Sequence, residues 1–267
     1  MKKSVYIICL CVLSVLVFYE VHNLEKEPET VSVFVPTNSL TKQVVKENKA
    51  KQKEIKNGKT KKVAYLTFDD GPSGNTKKVL RTLKEKKAVA TFFLIGKEIT
   101  GERVQTVKDL QEAGNVIGVH TYCHEQNTMY GSAECFLEDF DKAAKKIEEI
   151  TGEQPKLHRF PWGSNNGFVR SYVDELFTTL EKRGVKSFDW NVSGEDSLYV
   201  GVPQETIFQN IKKDITRFDE PIILLHDAAA MDNTAAVLGQ IIDYIREQGY
   251  DFDTLDHREV YTFPTRT

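Results

Sequence analysis

Short apolar runs alternate with amphipathic segments from residue 63 almost to the end of the chain. The runs are rich in β-branched and aromatic residues and show little polar–apolar alternation, which is typical of strands buried on both faces of a parallel sheet. The pattern predicts strands at 63–68, 90–95, 115–119, 156–160, 185–190 and 221–225, and a less apolar one at 260–263.

Amphipathic helices are predicted between these runs. One apolar stripe extends from Phe136 to Ile150, with Ser132 as its N-cap and Gly152 at its end. Similar stripes stop before Gly114, Gly184 and Gly249. Repeated strand–helix units of this kind imply a parallel sheet, and we predict an α/β fold whose sheet curls into a barrel. Roughly 200 residues are available, fewer than the about 250 of an eight-unit barrel.

The N-terminal segment, residues 1–21, has the form of an export signal. Lys2 and Lys3 precede an apolar run at 5–19. No small-residue cleavage site follows the run, so we predict an uncleaved membrane anchor, with a cleaved signal peptide as the alternative. Lysines before the run and glutamates after it place the N-terminus in the cytoplasm and the rest of the chain outside the cell.

Residues 22–62 are polar and rich in lysine, and their apolar residues follow neither a helical nor a strand period. We predict a stalk in this stretch. Residues 63–267 then form one folded domain. The whole chain is accordingly expected at the cell membrane as a single-pass protein, or secreted if the signal is cleaved.

Composition excludes some classes of function. The chain has 267 residues, of which 40% are hydrophobic and 28% charged, as in ordinary globular proteins. Its net charge of -3 argues against nucleic acid as a partner. The four cysteines form no CxxC pair, which disfavours a thiolate zinc site or a redox dithiol. The sequence does not decide whether Cys123 and Cys135 form a disulfide.

Reactive side chains follow five of the predicted strands. In parallel α/β folds, ligands and catalytic groups gather where strands end, at their carboxyl ends. The groups that follow the strands are Asp69–Asp70, His120–His124, Arg159–Gly163, Asp189–Trp190 and His226–Asp227. Random placement would scatter such residues along helix faces. The sequence therefore predicts one site at this edge of the sheet.

A metal is the first candidate for that site. Two adjacent carboxylates, Asp69 and Asp70, oppose each other unless a cation or an arginine neutralises them. His120 and His124 are four residues apart, which on one helical turn puts both rings on one face. Two imidazoles and one carboxylate leave coordination positions open, as a catalytic zinc requires. Each residue alone has a structural explanation, such as a turn, a salt bridge or a packed core ring.

The motifs together resemble the NodB-homology polysaccharide deacetylases, carbohydrate esterase family four, over residues 63–263. Thr67-Phe68-Asp69-Asp70-Gly71-Pro72 resembles the first motif of that family and His120-Thr121-Tyr122-Cys123-His124 the second. Arg159-Phe160-Pro161-Trp162-Gly163, Asp189-Trp190 and Leu224-Leu225-His226 resemble the third, fourth and fifth. All five in order make a specific signal. Glu125 and Trp162 depart from the common proline and tyrosine, and these departures bear on substrate preference.

The resemblance implies roles for individual residues. Asp70, His120 and His124 would hold a divalent metal, usually zinc, with cobalt, nickel or manganese as alternatives. Asp69 would be the general base and His226 the general acid. Arg159 would orient Asp69, and Asp189 would hold His226 in its protonated form. Four residues are expected to bind substrate: Pro161, Trp162, Trp190 and Leu224. The backbone N–H of Trp162 would stabilise the oxyanion.

The family further implies a distorted (β/α)7 barrel and hydrolysis of N-acetyl groups on a polysaccharide. Peptidoglycan N-acetylglucosamine is the substrate we expect, because the anchor would hold the domain near the wall. Alternatives are an O-acetyl esterase of the xylan type on the same site, or a catalytically silent glycan-binding module. An aspartyl-phosphate phosphatase would leave the histidine pair and Arg159 unexplained.

Overall fold

The computed structural model of the chain describes residues 62–264. The predicted anchor at 1–21 and, except for Lys62, the predicted stalk at 22–62 lie outside this range. Across residues 62–264, no helix combines the length and the apolar character that crossing a membrane requires.

Eight strands form one sheet in which every pair is parallel. Their bounds are β1 Lys62–Asp69, β2 Ala90–Ile95, β3 Val116–Thr121, β4 Leu157–His158, β5 Lys186–Ser187, β6 Val192–Ser193, β7 Ile222–His226 and β8 Tyr250–Phe252. The order is β5-β4-β3-β2-β1-β7-β6, and β8 pairs with the start of β1. Within the described residues no pairing joins β5 to β6, so the predicted parallel barrel is confirmed in an open form.

Seven α-helices connect the strands in residues 62–264. Their bounds are α1 Gly74–Lys86, α2 Arg103–Glu112, α3 Gln126–Met129, α4 Ala133–Thr151, α5 Val173–Lys182, α6 Gln204–Asp214 and α7 Asp232–Glu247. Helix α4 confirms its predicted caps: the Ser132 side chain accepts from the Cys135 N–H, and Gly152 adopts the left-handed conformation at φ 75°. The predicted capping pattern therefore marks helix ends correctly.

The sheet divides the buried residues between its two faces. Side chains of β1 alternate, so Leu66 and Phe68 pack with the helices while Tyr65 lies on the opposite face. The small cluster on that second face is Tyr65, Phe93, Leu157, Phe188, Ile222 and Leu255. Thr67 and Asp69 share the face of Tyr65, which brings polar groups above this apolar layer at the carboxyl end of β1.

Two strand predictions are wrong. The run at 185–190 is not one strand: Phe188 N–H bonds to the His158 carbonyl, whereas Asn191 N–H bonds to the Ile222 carbonyl. The run therefore crosses the opening from one sheet edge to the other, and the next strand is β6. The run at 260–263 forms no strand, although the Asp189 N–H donates to the Tyr261 carbonyl. The last strand of the sheet is instead β8, which was not predicted.

Candidate active site

The carboxyl end of β1 separates two consecutive aspartates. Asp69 is the last residue of the strand, is 3% exposed, and lies in register with His226 of β7. Asp70 adopts the left-handed conformation with φ 72°, which ends the strand alternation. Because of this backbone turn, the two carboxylates acquire different partners although they are adjacent in sequence.

Asp70 lies between the two histidines of the second motif. Its Oδ1 is 3.4 Å from His120 Nε2 and 3.3 Å from His124 Nε2. One ligand atom from each of the three residues lies within 4.8 Å of the others. The two histidines, four residues apart, come together without a helical turn. His120 lies on β3, and His124 lies in the following loop with φ 53°. The predicted helical turn between them is therefore wrong.

These three residues fit a divalent cation. Asp70 Oδ1 is buried and has no hydrogen-bond partner, so a cation would compensate an orphaned acceptor. His120 Nδ1 is 2.9 Å from the Arg159 carbonyl, which fixes this nitrogen as the N–H and turns the Nε2 lone pair toward Asp70. A carboxylate with two imidazoles is a donor set that zinc and similar ions prefer.

Electrostatics in this cluster also favour a charged Asp70. Burial by itself raises the pKa of Asp70, but the contact with His120 and the nearby His226 and His124 outweigh it and hold the pKa below its ordinary range. For His124, burial and then the neighbouring His120 lower the pKa. A deprotonated carboxylate and a neutral imidazole are the forms that bind metals.

A carboxylate that sequence analysis missed organises the His124 loop. Asp139 of α4 accepts hydrogen bonds from the backbone N–H of Tyr122 at 2.5 Å, from that of Cys123 at 3.0 Å and from the Thr121 hydroxyl. The Thr121 Oγ1 in turn lies 3.3 Å from the His124 N–H. Asp139 thus holds the turn that presents His124. Both Cys123 and Cys135 are free thiols.

Arg159 occupies the interior next to Asp69. It is fully buried, and its Nη1 is 3.0 Å from Asp69 Oδ1 and 2.6 Å from Thr67 Oγ1. Its other donors bond to the carbonyls of Phe188 and Asp189, and its guanidinium lies 4.4 Å from the centre of the Phe93 ring. Since every edge of the guanidinium is engaged, Arg159 holds Asp69 in one orientation.

His226 pairs with Asp196, which sequence analysis also missed. His226 Nδ1 is 2.8 Å from Asp196 Oδ1, and Asp196 Oδ2 accepts from the His226 backbone N–H and from the Thr234 hydroxyl. Burial tends to lower the pKa of His226, but the Asp196 carboxylate, with Asp69 and Asp70, raises it to about 9. His226 is therefore protonated at neutral pH, with Nε2 directed away from Asp196.

The predicted pairing of Asp189 with His226 is wrong. The Asp189 carboxylate accepts from the Ser164 N–H at 2.9 Å, from the Ser164 hydroxyl at 2.5 Å and from the Phe263 N–H at 2.7 Å. It ties the loop after β4 to the C-terminal segment. The error follows from treating 185–190 as one strand: the acid beyond the carboxyl end of β6 is Asp196.

The four residues expected to bind substrate lie in different settings. Trp162 is 48% exposed and its ring centre is 5.0 Å from that of His124, whereas Pro161 is buried. Leu224 is buried on β7, two residues before His226 and on the same strand face. Trp190 is half-buried against Phe263, with the Arg159 guanidinium 5.7 Å from its ring centre. Trp162 is thus the most accessible of the four.

Asp227 is hydrogen-bonded to residues of the first motif and of the loop that follows it. Its N–H donates to the Asp69 carbonyl and its own carbonyl accepts from Ser73. A Cβ at Gly71 would lie 2.5 Å from Asp227 Oδ1, so the close approach requires glycine. Burial raises the pKa of the Asp227 carboxyl to about 7, with Asp70 and Asp69 adding to the rise and the Thr76 hydroxyl opposing it. Asp227 thereby joins the ends of β1 and β7.

Comparison with known proteins shows the family of the chain. A family model described as polysaccharide deacetylase matches residues 56–188. A peptidoglycan-N-acetylglucosamine deacetylase of Bacillus cereus is 35% identical over 212 residues, which cover 78% of this chain and 74% of that protein. The chain belongs to the polysaccharide deacetylase family. It is therefore a hydrolase, and the resemblance to the NodB-homology deacetylases is confirmed.

Two solved structures and one longer protein are further relatives of this deacetylase. The crystal structure of a polysaccharide deacetylase from Bacillus cereus matches with a TM-score of 0.67 and 31% identity, covering 76% of this chain and 97% of that one. The catalytic domain of a peptidoglycan N-acetylglucosamine deacetylase from Eubacterium rectale matches with a TM-score of 0.72 and 26% identity, covering 78% and 94%. A bifunctional xylanase/deacetylase of Pseudobutyrivibrio xylanivorans is 32% identical over 74% of this chain, but over only 31% of its own length.

Proposed function

We propose that this deacetylase removes N-acetyl groups from peptidoglycan N-acetylglucosamine and releases acetate and a free amino sugar. The observation that carries the proposal is the convergence of Asp70, His120 and His124 beside the Asp69–Arg159 pair and His226. A cation site, a buried carboxylate and a protonated imidazole at the carboxyl ends of neighbouring strands are the groups that amide hydrolysis needs. The relatives that carry this activity in their names support the choice of substrate.

In this proposal Asp70, His120 and His124 hold the divalent cation, for which we expect Zn²⁺. Co²⁺, Ni²⁺ and Mn²⁺ suit the same donors and remain alternatives. When bound, such an ion polarises the acetyl carbonyl and lowers the pKa of water. The second nitrogen of His120, bonded to the Arg159 carbonyl, would keep that ring oriented for this task.

Asp69 acts as the general base in this scheme and accepts a proton from the attacking water. Its carboxylate oxygen Oδ1 accepts from Arg159, which leaves the remaining lone pairs of Asp69 for that proton. Arg159 compensates the negative charge of Asp69 and fixes its orientation. The pairing explains why two adjacent aspartates can serve two purposes.

His226 acts as the general acid and donates its Nε2 proton to the departing amine. Asp196 raises the pKa of His226 to about 9, after the opposing effect of burial, so the imidazolium persists at neutral pH. Asp196 is thus a positioning residue, in the role first expected of Asp189. We assign the oxyanion contact to the backbone N–H of Trp162, and a pocket for the acetyl methyl to Leu224 and Trp190. Pro161 would help to hold this loop.

We further propose that residues 1–21 anchor the enzyme in the membrane and that the stalk at 22–62 holds the domain outside the cell. Membrane and glycan would then be its partners. Extraction of the full chain from a cell membrane fraction only by detergent would support the anchor. Recovery of a shortened chain from the medium would show signal cleavage instead.

Acetate release tests the proposal directly. Full-length enzyme is loaded with Zn²⁺ or Co²⁺, its metal content is measured, and it is incubated with intact peptidoglycan and with chitooligosaccharides. We expect acetate and free glucosamine amines in the glycan strands. Metal-loaded enzyme that releases no acetate from any glycan would refute the proposal.

An O-acetyl esterase is the second candidate, favoured by the similarity to the xylanase/deacetylase. Both reactions pass through a tetrahedral intermediate and use the same groups. Parallel kinetics on acetylated xylan and on chitooligosaccharides separate them, because a higher kcat/KM on the ester substrate would overturn our choice.

A further inference from the structure

Two large aromatic side chains stand exposed beside the proposed metal site. Trp162 is 48% exposed and Phe168 is 44% exposed, and their ring centres are 5.9 Å apart. Trp162 also contacts His124, with 5.0 Å between ring centres. Exposed single aromatic residues are common, but an exposed cluster next to a reactive site marks a binding surface.

The rings are held in place by a buried support. Tyr130 is 8% exposed, and its ring centre lies 6.1 Å from that of Trp162 and 6.3 Å from that of Phe168. Its hydroxyl donates to the Pro161 carbonyl at 2.9 Å, and its ring plane lies 19° from that of Phe168 and 51° from that of Trp162. The planes of Trp162 and Phe168 are 70° apart, so each exposed ring presents its own face. We call Trp162 and Phe168 on Tyr130 the aromatic platform.

Asn166 fixes the loop between the two exposed rings. Its amide nitrogen donates to the carbonyls of Gly163 at 2.7 Å and Pro161 at 3.1 Å. Its oxygen accepts from the N–H groups of Phe168 at 2.9 Å and Val169 at 3.2 Å. Both rings are therefore preorganised, so a ligand would lose little affinity to ordering the loop.

We propose that the aromatic platform is a subsite for a pyranose ring of the glycan chain, adjacent to the sugar whose acetyl group reaches the metal site. This inference rests on the proposed function. Pyranose rings present C–H groups on their faces, and the face of an aromatic ring carries the negative end of its quadrupole. The platform would therefore bind a neighbouring sugar unit, and the enzyme would favour longer glycan chains over short ones.

Chain-length dependence tests the platform. Acetate release is measured on chitobiose and chitohexaose in their N-acetylated forms, with wild-type enzyme and the Phe168→Ala, Phe168→Tyr and Val260→Ala variants. We expect wild type to prefer the hexaose. Phe168→Ala should lose about three- to tenfold of the hexaose-to-biose ratio of kcat/KM, from the size of a typical aromatic contact. Phe168→Tyr keeps a ring and should keep the ratio.

Val260→Ala is the matched control, because Val260 is 50% exposed in the C-terminal segment and is not part of the platform. It should leave the ratio as in wild type. An unchanged ratio in Phe168→Ala would overturn the proposal.

A binding measurement separates this inference from the proposed function. Metal-free protein in EDTA is titrated with chitohexaose while tryptophan fluorescence is recorded. We expect a several-fold higher Kd for Phe168→Ala than for wild type and Phe168→Tyr. That result without any acetate release by metal-loaded wild type would support the platform and defeat the proposed activity. Acetate release by wild type, with Kd values and hexaose-to-biose ratios that are equal in wild type and Phe168→Ala, would support the proposed activity and defeat the platform.

Discussion

The two sides of the candidate site hold their side chains by different means. On the β1–β3 side, Asp70 and His124 lie on left-handed backbone, and Asp139 stabilises the turn before His124 through main-chain bonds. On the β6–β7 side, His226 remains on a regular strand and is held by a carboxylate, Asp196. The first side uses backbone geometry, which would suit the fixed donors of the proposed metal site. The second uses a charge pair, which would suit the raised pKa of the proposed general acid.

The largest effect is expected from removing a metal ligand. His120→Ala should bind no cation at the concentration that saturates wild type, and its acetate release should fall about 10³-fold or more, since the ion supplies several kcal/mol of transition-state stabilisation. Metal content by mass spectrometry and acetate release measure both effects. His257→Ala, which changes an exposed histidine outside the cluster, is the control. Full activity of metal-free His120→Ala would remove the cation from the proposal.

The next largest effect should distinguish the roles of the adjacent aspartates, Asp69 and Asp70. Asp69→Asn should retain the cation but lose about 10²- to 10⁴-fold in kcat, the usual range for a general base. Asp70→Asn should instead lose the cation. Metal content and kcat of the two variants, determined on the same preparations, make the comparison. Retained acetate release by Asp69→Asn would exclude Asp69 as the base.

The charge pair predicts a pH effect. Because His226 has a raised pKa of about 9, its protonated form exists below that pH and is lost above it. Asp196→Asn should bring this pKa toward the ordinary value of about 6.5 and move the alkaline limb of kcat to lower pH. We expect a loss of about tenfold or more at pH 8 and a smaller loss at pH 6.

Equal metal loading is required in that experiment, because a bound cation lowers the pKa of a nearby imidazolium. Asp189→Asn is the comparison variant: it keeps one accepting oxygen but replaces the other with an NH2 group, so the Ser164 N–H or the Phe263 N–H loses its acceptor and Tm should fall without a shift of the alkaline limb. A shift of the limb by Asp189→Asn and not by Asp196→Asn would reverse our correction.

The smallest effect tests the support of the His124 loop. Asp139→Asn should weaken metal binding about tenfold, as is typical when a residue that orients a ligand is changed, and added metal should restore activity. Asp141→Asn, on the same helix but in an exposed pair with Arg183, is the matched control. A metal Kd equal to that of wild type would show that the His124 turn needs no carboxylate.

Sequence patterns predicted the residues better on one side of the candidate site than on the other. The His120–His124 spacing and the acidic pair after β1 are local signals, and the structure brings these residues together. Asp196 and Asp139 carry weaker signals. Asp196 follows a strand of two residues, too short to stand out, and Asp139 is one of several acids on an amphipathic helix, with no local pattern that distinguishes it from the others.

The sequence by itself determined the repeated strand–helix units, their caps and the five motifs, because each depends on residues close together in the chain. Only the tertiary structure decided where 185–190 crosses the barrel opening, which acid meets His226, and that Trp162 and Phe168 share one support. Those outcomes depend on contacts between distant segments. Hydrophobic periodicity specifies which face of an element is buried, but it does not specify which neighbour covers that face.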